Sequence, residues 1–172
     1  MERREFPDAL LFSGILSSIG FPEILFEELE CAFGPILSFS DPFPFTYTDY
    51  YDEEMGGAIE RAFVSFALPF SPEHMSEVKR RTNLIESRFA RDGKRKVNID
   101  PGIVTEGSVI LMTTKNRAHR IPLSDGIYAE LTLIYHKKGY ESFPWTYSDY
   151  KDERVLSELG KMRKALMDRK RV

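Results

Sequence analysis

The chain has 172 residues, 42% hydrophobic and 30% charged, with a formal net charge of −3. This length suits one domain whose core needs no metal or disulfide staple, so residues 1–172 read as a single domain. The acidic balance argues against a dedicated nucleic-acid binder, which carries a basic excess. The lone cysteine, Cys31, rules out an internal disulfide and fits a reducing cytoplasm.

Near the N-terminus Arg3 and Arg4 precede an apolar run, but Glu2, Glu5 and Asp8 interrupt the basic stretch. The run is also too short to span a bilayer, so residues 10–16 predict a buried first strand, with no membrane partner. A helix is expected over 22–33, opened by Pro22 and stopped by Gly34-Pro35, with Cys31 as a small core residue. Residues 36–40 predict a second strand, and Ala62, Val64, Phe66 and Leu68 alternate along a third. Ser71 as N-cap and Pro72 at N1 open the next helix, where Met75, Val78, Thr82, Ile85 and Phe89 form one buried stripe. Lys79, Asn83 and Glu86 make a polar stripe beside it.

A fourth strand is expected to begin at Val97 and stop at Pro101-Gly102. Strand-helix-strand-strand-helix-strand is the ferredoxin-like βαββαβ order. Further antiparallel strands are expected at 109–114, 119–123 and 127–135, the last with Ile127, Ala129, Leu131, Leu133 and Tyr135 on one face. A closing helix over 153–168 carries Val155, Leu159, Met162 and Leu166. The expected fold class is α+β: an antiparallel-rich sheet with a ferredoxin-like opening, added C-terminal strands and a closing helix.

The chain also writes one segment twice. Residues 43–53 return at 143–153, differing only at Phe45/Trp145, Thr48/Ser148 and Tyr51/Lys151. Proline, rings, hydroxyls and a carboxylate at this density describe an ordered loop, serving either as a site or as a clamp. Trp145, Tyr147 and Asp149 are candidate ligand contacts: rings to wall a pocket and a carboxylate to take N–H or hydroxyl groups. Against this stands the capacity of Tyr and Trp to bury their rings while their polar atoms hold neighbouring loops.

Two other stretches carry chemistry. Asn98 and Asp100 alternate on a strand and so share a face, and Asp100 before Pro101-Gly102 is placed as an acid/base or hydroxyl acceptor. Thr113-Thr114-Lys115-Asn116-Arg117-Ala118-His119-Arg120 brings hydroxyls and cations suited to a phosphate or carboxylate. Here Lys115 and Arg120 would hold the anion, and His119 would be the proton-transfer partner of Asp100. Glu130, if its face is covered, needs a partner such as Lys115, His119 or Arg120. The basic stretch Lys94-Arg95-Lys96 reads as a solvated turn. No phosphate-binding Gly-rich loop, dinucleotide fingerprint, nucleophile elbow or zinc-ligand spacing occurs, so no metal and no particular cofactor is indicated.

Asn98-Ile99-Asp100-Pro101-Gly102, Thr113-Thr114-Lys115 with His119-Arg120, Gly126-Ile127-Tyr128-Ala129-Glu130 and Trp145 to Tyr150 follow one another in this order. Together they resemble the bacterial domain-of-unknown-function family 4416, over nearly the whole chain. Ser148 and Ile103 depart from its pattern, in which proline and an aromatic residue are expected. The resemblance implies a single-domain cytoplasmic bacterial protein and no particular reaction. The leading expectation is a protein or enzyme that binds a small phosphorylated or nucleotide-like ligand. Its rival is a non-catalytic homodimeric interaction module built on the repeated loops, recognisable by unpaired, solvated Asp100 and His119.

Overall fold

The computed structural model describes residues 5–171. In chain order the elements are β1 (Leu10–Ser17), α1 (Glu23–Phe33), β2 (Ile36–Phe39), β3 (Phe43–Pro44), α2 (Asp52–Met55), β4 (Glu60–Phe66), α3 (Met75–Arg88), β5 (Val97–Val104), β6 (Ser108–Thr113), β7 (Ile121–Pro122), β8 (Tyr128–His136), β9 (Gly139–Ser142) and α4 (Glu153–Arg169). The strands form one nine-stranded antiparallel sheet in the order β2-β4-β1-β5-β6-β8-β7, with β3 beside β4 and β9 beside β8. Taken alone, β1, β2, β4 and β5 have the split βαβ order expected of a ferredoxin-like opening, and β6 to β9 extend it. No helix among the described residues is long and apolar enough to cross a membrane.

Every residue of β1 is buried, because both faces of the sheet are covered here. Leu11 and Ile15 pack with Leu25 and Leu29 of α1 and Val78 and Ile85 of α3. Leu10 and Phe12 point the other way, to Phe63 and to Val155, Leu159 and Met162 of α4. Full burial of each such side chain stabilises by roughly 1.5–3 kcal/mol, so α4 is held by its stripe rather than by helix propensity alone. A smaller cluster of Leu16, Phe45, Met55 and Ile59 seats the first copy of the repeated segment.

Several sequence expectations are corrected. β5 does not stop at Pro101-Gly102 but continues to Val104, so Asp100 is mid-strand rather than at a strand end. β1 pairs β5 along its whole length, whereas β6 joins β5 only from Gly102 onward. Ile99 turns its amide and carbonyl to the edge that β6 leaves open, where Glu86 and Lys79 bond them. Pro101, two residues on, turns its nitrogen to the same edge, so its missing N–H costs no ladder bond.

The single-face alternation over 127–135 also fails. A register shift opposite Val109 and Ile110 puts an extra residue into β8. This bulge flips the phase: Ile127 and Ala129 join the core under α1 and α3, while Leu133 joins the α4 side. Cys31 is exposed rather than a core residue. Leu68 lies beyond the end of β4 and is exposed. Ser71 makes no capping bond, and Pro72–His74 form a 3-10 turn ahead of α3. β9 adds a hairpin strand beyond those expected, and Lys137, at φ 57°, makes the tight turn that leads into it.

Candidate functional site

The unpaired stretch of β5 opens a slot in the sheet. β5 residues 97–101 lack a neighbour on the side where Leu111, Met112 and Thr113 of β6 stand, and a cavity of about 440 Å³ occupies the gap. Both copies of the repeat line it: Phe45, Tyr47, Thr48, Tyr50 and Tyr51 from the first, and Tyr147, Ser148, Asp149 and Tyr150 from the second. The copies are also tied to one another, since Tyr47 donates to the Asp152 carboxylate.

Near-identical residues meet opposite fates in the two loops. Tyr150 is 1% exposed and packs edge-on against Phe63, while Tyr50 is 61% exposed at the rim. Asp149 is buried against Arg61, whereas Asp49 faces solvent. The second copy also acts as a clamp. Trp145 Nε1 donates to the Leu131 carbonyl at 2.9 Å and Thr146 Oγ1 to that of Thr132 at 2.6 Å. These β8 carbonyls lie between the stretches paired by β7 and β9, so the loop closes an exposed sheet edge.

Arg61 forms the floor. It is buried among the rings of Phe45, Phe63 and Tyr150, with centroids 5.3–5.8 Å from its guanidinium carbon. It pairs with Asp149, and its Nη1 lies 3.7 Å from Asp100 Oδ2. Burial opposes its charge, but Asp149, Tyr150 and Asp100 outweigh that and hold it protonated. Among the described residues Nε and Nη1 have no hydrogen-bond partner, and neither does the Tyr150 hydroxyl beside them. Gly14 makes room for both: a Cβ there would stand 3.0 Å from Arg61 Nη1 and 3.2 Å from the Tyr150 oxygen.

Asp100 hangs between two cations. Asn98 Nδ2 donates to its Oδ2 at 2.8 Å, and Lys79 Nζ is 3.9 Å from Oδ1. Arg95 holds the outer end of the strand, bonding Asn98 Oδ1 at 2.6 Å and Glu54 through two nitrogens at 3.1 and 2.9 Å. The Arg95 hydrogen bond holds the Glu54 carboxyl below its ordinary range. Burial first, and then Asp100, pushes the Tyr51 phenol well above its ordinary value, so it stays protonated.

On the β8 side, Glu130 is 1% exposed and accepts from Arg120 Nε at 2.7 Å and pairs with His119 Nε2 at 2.9 Å. Arg120 donates onward to the Lys115 carbonyl and to the Tyr147 hydroxyl, each at 2.8 Å. One guanidinium therefore sets both the loop that carries Lys115 and a tyrosine that lines the cavity. Lys115 Nζ lies 4.8 Å over the Tyr50 ring. Lys115 and Arg117 line the cavity without an ion pair among the described residues.

Of the residues singled out from sequence, Asn98, Asp100, Lys115, Arg120, Glu130, Tyr147 and Asp149 line this one cavity. His119 and Trp145 do not. Their rings stack at 5.0 Å, Trp145 stacks in turn on Phe143 at 4.8 Å, and His119 bonds Glu130, with no bond to Asp100. Sequence reasoning passed over Arg61 and took Arg95 for part of a solvated turn. One signal for Arg61 was present: it shares a strand face with Phe63, which implies a covered face.

The match to a family model extends over this whole arrangement. The model described as domain of unknown function (DUF4416) matches residues 7–166. The chain belongs to the DUF4416 family. The matched span holds every residue lining the cavity, so the slot is built entirely from DUF4416 sequence. No curated protein and no solved structure matches the chain. Among the described residues of this DUF4416 protein, no group of three or more His, Cys, Asp or Glu is placed to hold a metal ion.

Proposed function

We propose that this DUF4416 protein binds a small phosphorylated or nucleotide-like ligand in the slot between β5 and β6. The observation that carries the reading is the charge of the cavity wall. In a chain of net charge −3, six cationic side chains face three carboxylates there, and Lys115 and Arg117 at the wall form no salt bridge among the described residues. A concave site of this size with convergent polar groups is the usual setting for a small molecule. Unpaired cations favour an anionic group, and Tyr50, Tyr51 and Tyr147 offer rings for a planar one.

Two observations favour this over the homodimeric module. Phe45, Tyr47, Tyr50 and Tyr51 of the first copy and Tyr147 and Tyr150 of the second line one cavity, and Asp100 and His119 both have polar partners. Asp100 is the candidate acid/base within the cavity. His119, behind Glu130, would act on a ligand only through the Glu130–Arg120–Tyr147 chain.

The test is a thermal-shift series with inorganic phosphate, pyrophosphate, nucleotides and sugar phosphates. A ligand at 100 times its Kd stabilises the native state by about 2.7 kcal/mol. The reading expects a concentration-dependent rise in Tm with at least one phosphate compound, abolished in Lys115→Ala/Arg117→Ala. A rise that survives in that double variant would refute it.

A further inference from the structure

The two ends of the slot differ in chemistry, and the difference selects a ligand. Toward the rim, Lys115 and Arg117 supply cationic N–H donors that form no salt bridge among the described residues, Glu54 acting on Lys115 only at longer range. Toward the floor, Asp100 is the most open of the three carboxylates lining the cavity, its side chain 32% exposed against 5% for Asp149 and 1% for Glu130. Its Oδ2 is taken by Asn98, but among the described residues Oδ1 accepts no hydrogen bond, since Lys79 Nζ stays 3.9 Å away and bonds the Ile99 carbonyl instead. One helical turn along α3 from Lys79, the half-buried Asn83 also lines the cavity, and its amide makes no hydrogen bond among the described residues.

A phosphate oxygen is acceptor-only and would be repelled by a free carboxylate oxygen, so the wall at Asp100 does not suit the anionic end. A hydroxyl suits it: it donates to Asp100 Oδ1, and a neighbouring hydroxyl accepts from or donates to the Asn83 amide. We propose that the slot takes a phosphate ester of a polyol, phosphate at Lys115 and Arg117 and hydroxyls inward on Asp100 and Asn83. This rests on the anion-binding reading above and adds orientation and ligand class. A site built to bond hydroxyls discriminates strongly against a ligand lacking them, because its buried polar groups are then left unpaired.

The experiment is calorimetric titration with ribose 5-phosphate, glycerol 3-phosphate and adenosine 5′-monophosphate, against inorganic phosphate and free ribose. Wild type should bind at least one ester ten or more times tighter than inorganic phosphate. Asn83→Ala removes no hydrogen bond present in the structure and should reduce that preference several-fold; Asp100→Ala should bring it close to one. Neither should weaken inorganic phosphate binding, and Asp100→Ala, which removes a negative charge, should tighten it if anything. Inorganic phosphate binding as tightly as every ester, or an ester preference intact in both variants, would overturn the orientation and leave the anion site standing. No binding by any phosphate compound would overturn both.

Discussion

The Glu86 carboxylate accepts the Ile99 amide at 2.6 Å, from α3 to the open edge of β5. It takes the place of a strand. With Lys79 on the Ile99 carbonyl, it satisfies both backbone groups of Ile99 at the edge that β6 leaves open, which helps the sheet to part there.

Glu86→Ala should therefore destabilise the fold by about 1–3 kcal/mol, the usual cost of an orphaned buried amide. Glu86→Gln keeps an acceptor and should cost less. Burial raises the Glu86 pKa in the folded state, so the native protein holds that proton more firmly than the unfolded chain. Its contribution to stability falls as pH rises through the raised value. Urea melts at pH 4 and pH 7 should show Glu86→Gln gaining on wild type at the higher pH.

Arg61 and Asp149 form a buried pair whose halves are unequally replaceable. Asp149→Ala leaves the guanidinium with only Asp100, 3.7 Å away, and should destabilise by about 3–5 kcal/mol. Adding Arg61→Met to Asp149→Ala should recover much of that loss, measured as a double-mutant cycle by chemical denaturation. A double variant no more stable than Asp149→Ala would show that the pair is not the source of the cost.

Gly14→Ala tests the close approach over the cavity floor. A methyl group there would stand 3.0 Å from Arg61 Nη1 and 3.1 Å from the Phe63 ring, tighter than ordinary contact. We expect a loss of about 1–3 kcal/mol from overpacking, read as a lower Tm, together with weakened phosphate-ester binding as Arg61 shifts.

Asp152 runs opposite to Glu86 in its pH dependence. The Arg154 side chain first, and then the Tyr47 hydroxyl, holds its carboxyl down at about 2. It also caps α4 by accepting the Arg154 amide at 2.9 Å. A depressed carboxyl contributes stability that is present above its unfolded pKa, near 4, and is lost as pH falls toward 2. Asp152→Ala should cost about 1 kcal/mol at pH 7, with the difference from wild type shrinking between pH 4 and pH 2.

Local pattern determined much of this molecule. The α3 stripe, the α4 stripe, the apolar run of β1 and the βαββαβ order are all short-range periodicities, and each survives in the fold because tertiary packing needs the same faces. Pro101 shows where local reasoning stops. A proline in mid-strand reads as a terminator unless its nitrogen faces an unpaired edge, and that depends on β6, which follows in the chain. The bulge in β8 is likewise set by the register with β6 and leaves no mark in the alternation of residues 127–135. The repeated segment makes the same point through chemistry. Sequence makes Tyr50 and Tyr150, or Asp49 and Asp149, equivalent; the tertiary structure buries one of each and exposes the other, because Tyr150 packs on Phe63 and Asp149 pairs with Arg61, whereas Tyr50 and Asp49 stand at the rim. Asn98, Asp100, Lys115, Glu130 and Tyr147 could be picked out singly from their residue types. Their convergence on one cavity with Arg61, Lys79 and Asn83 required the sheet to open between β5 and β6, and non-local pairing alone decides that.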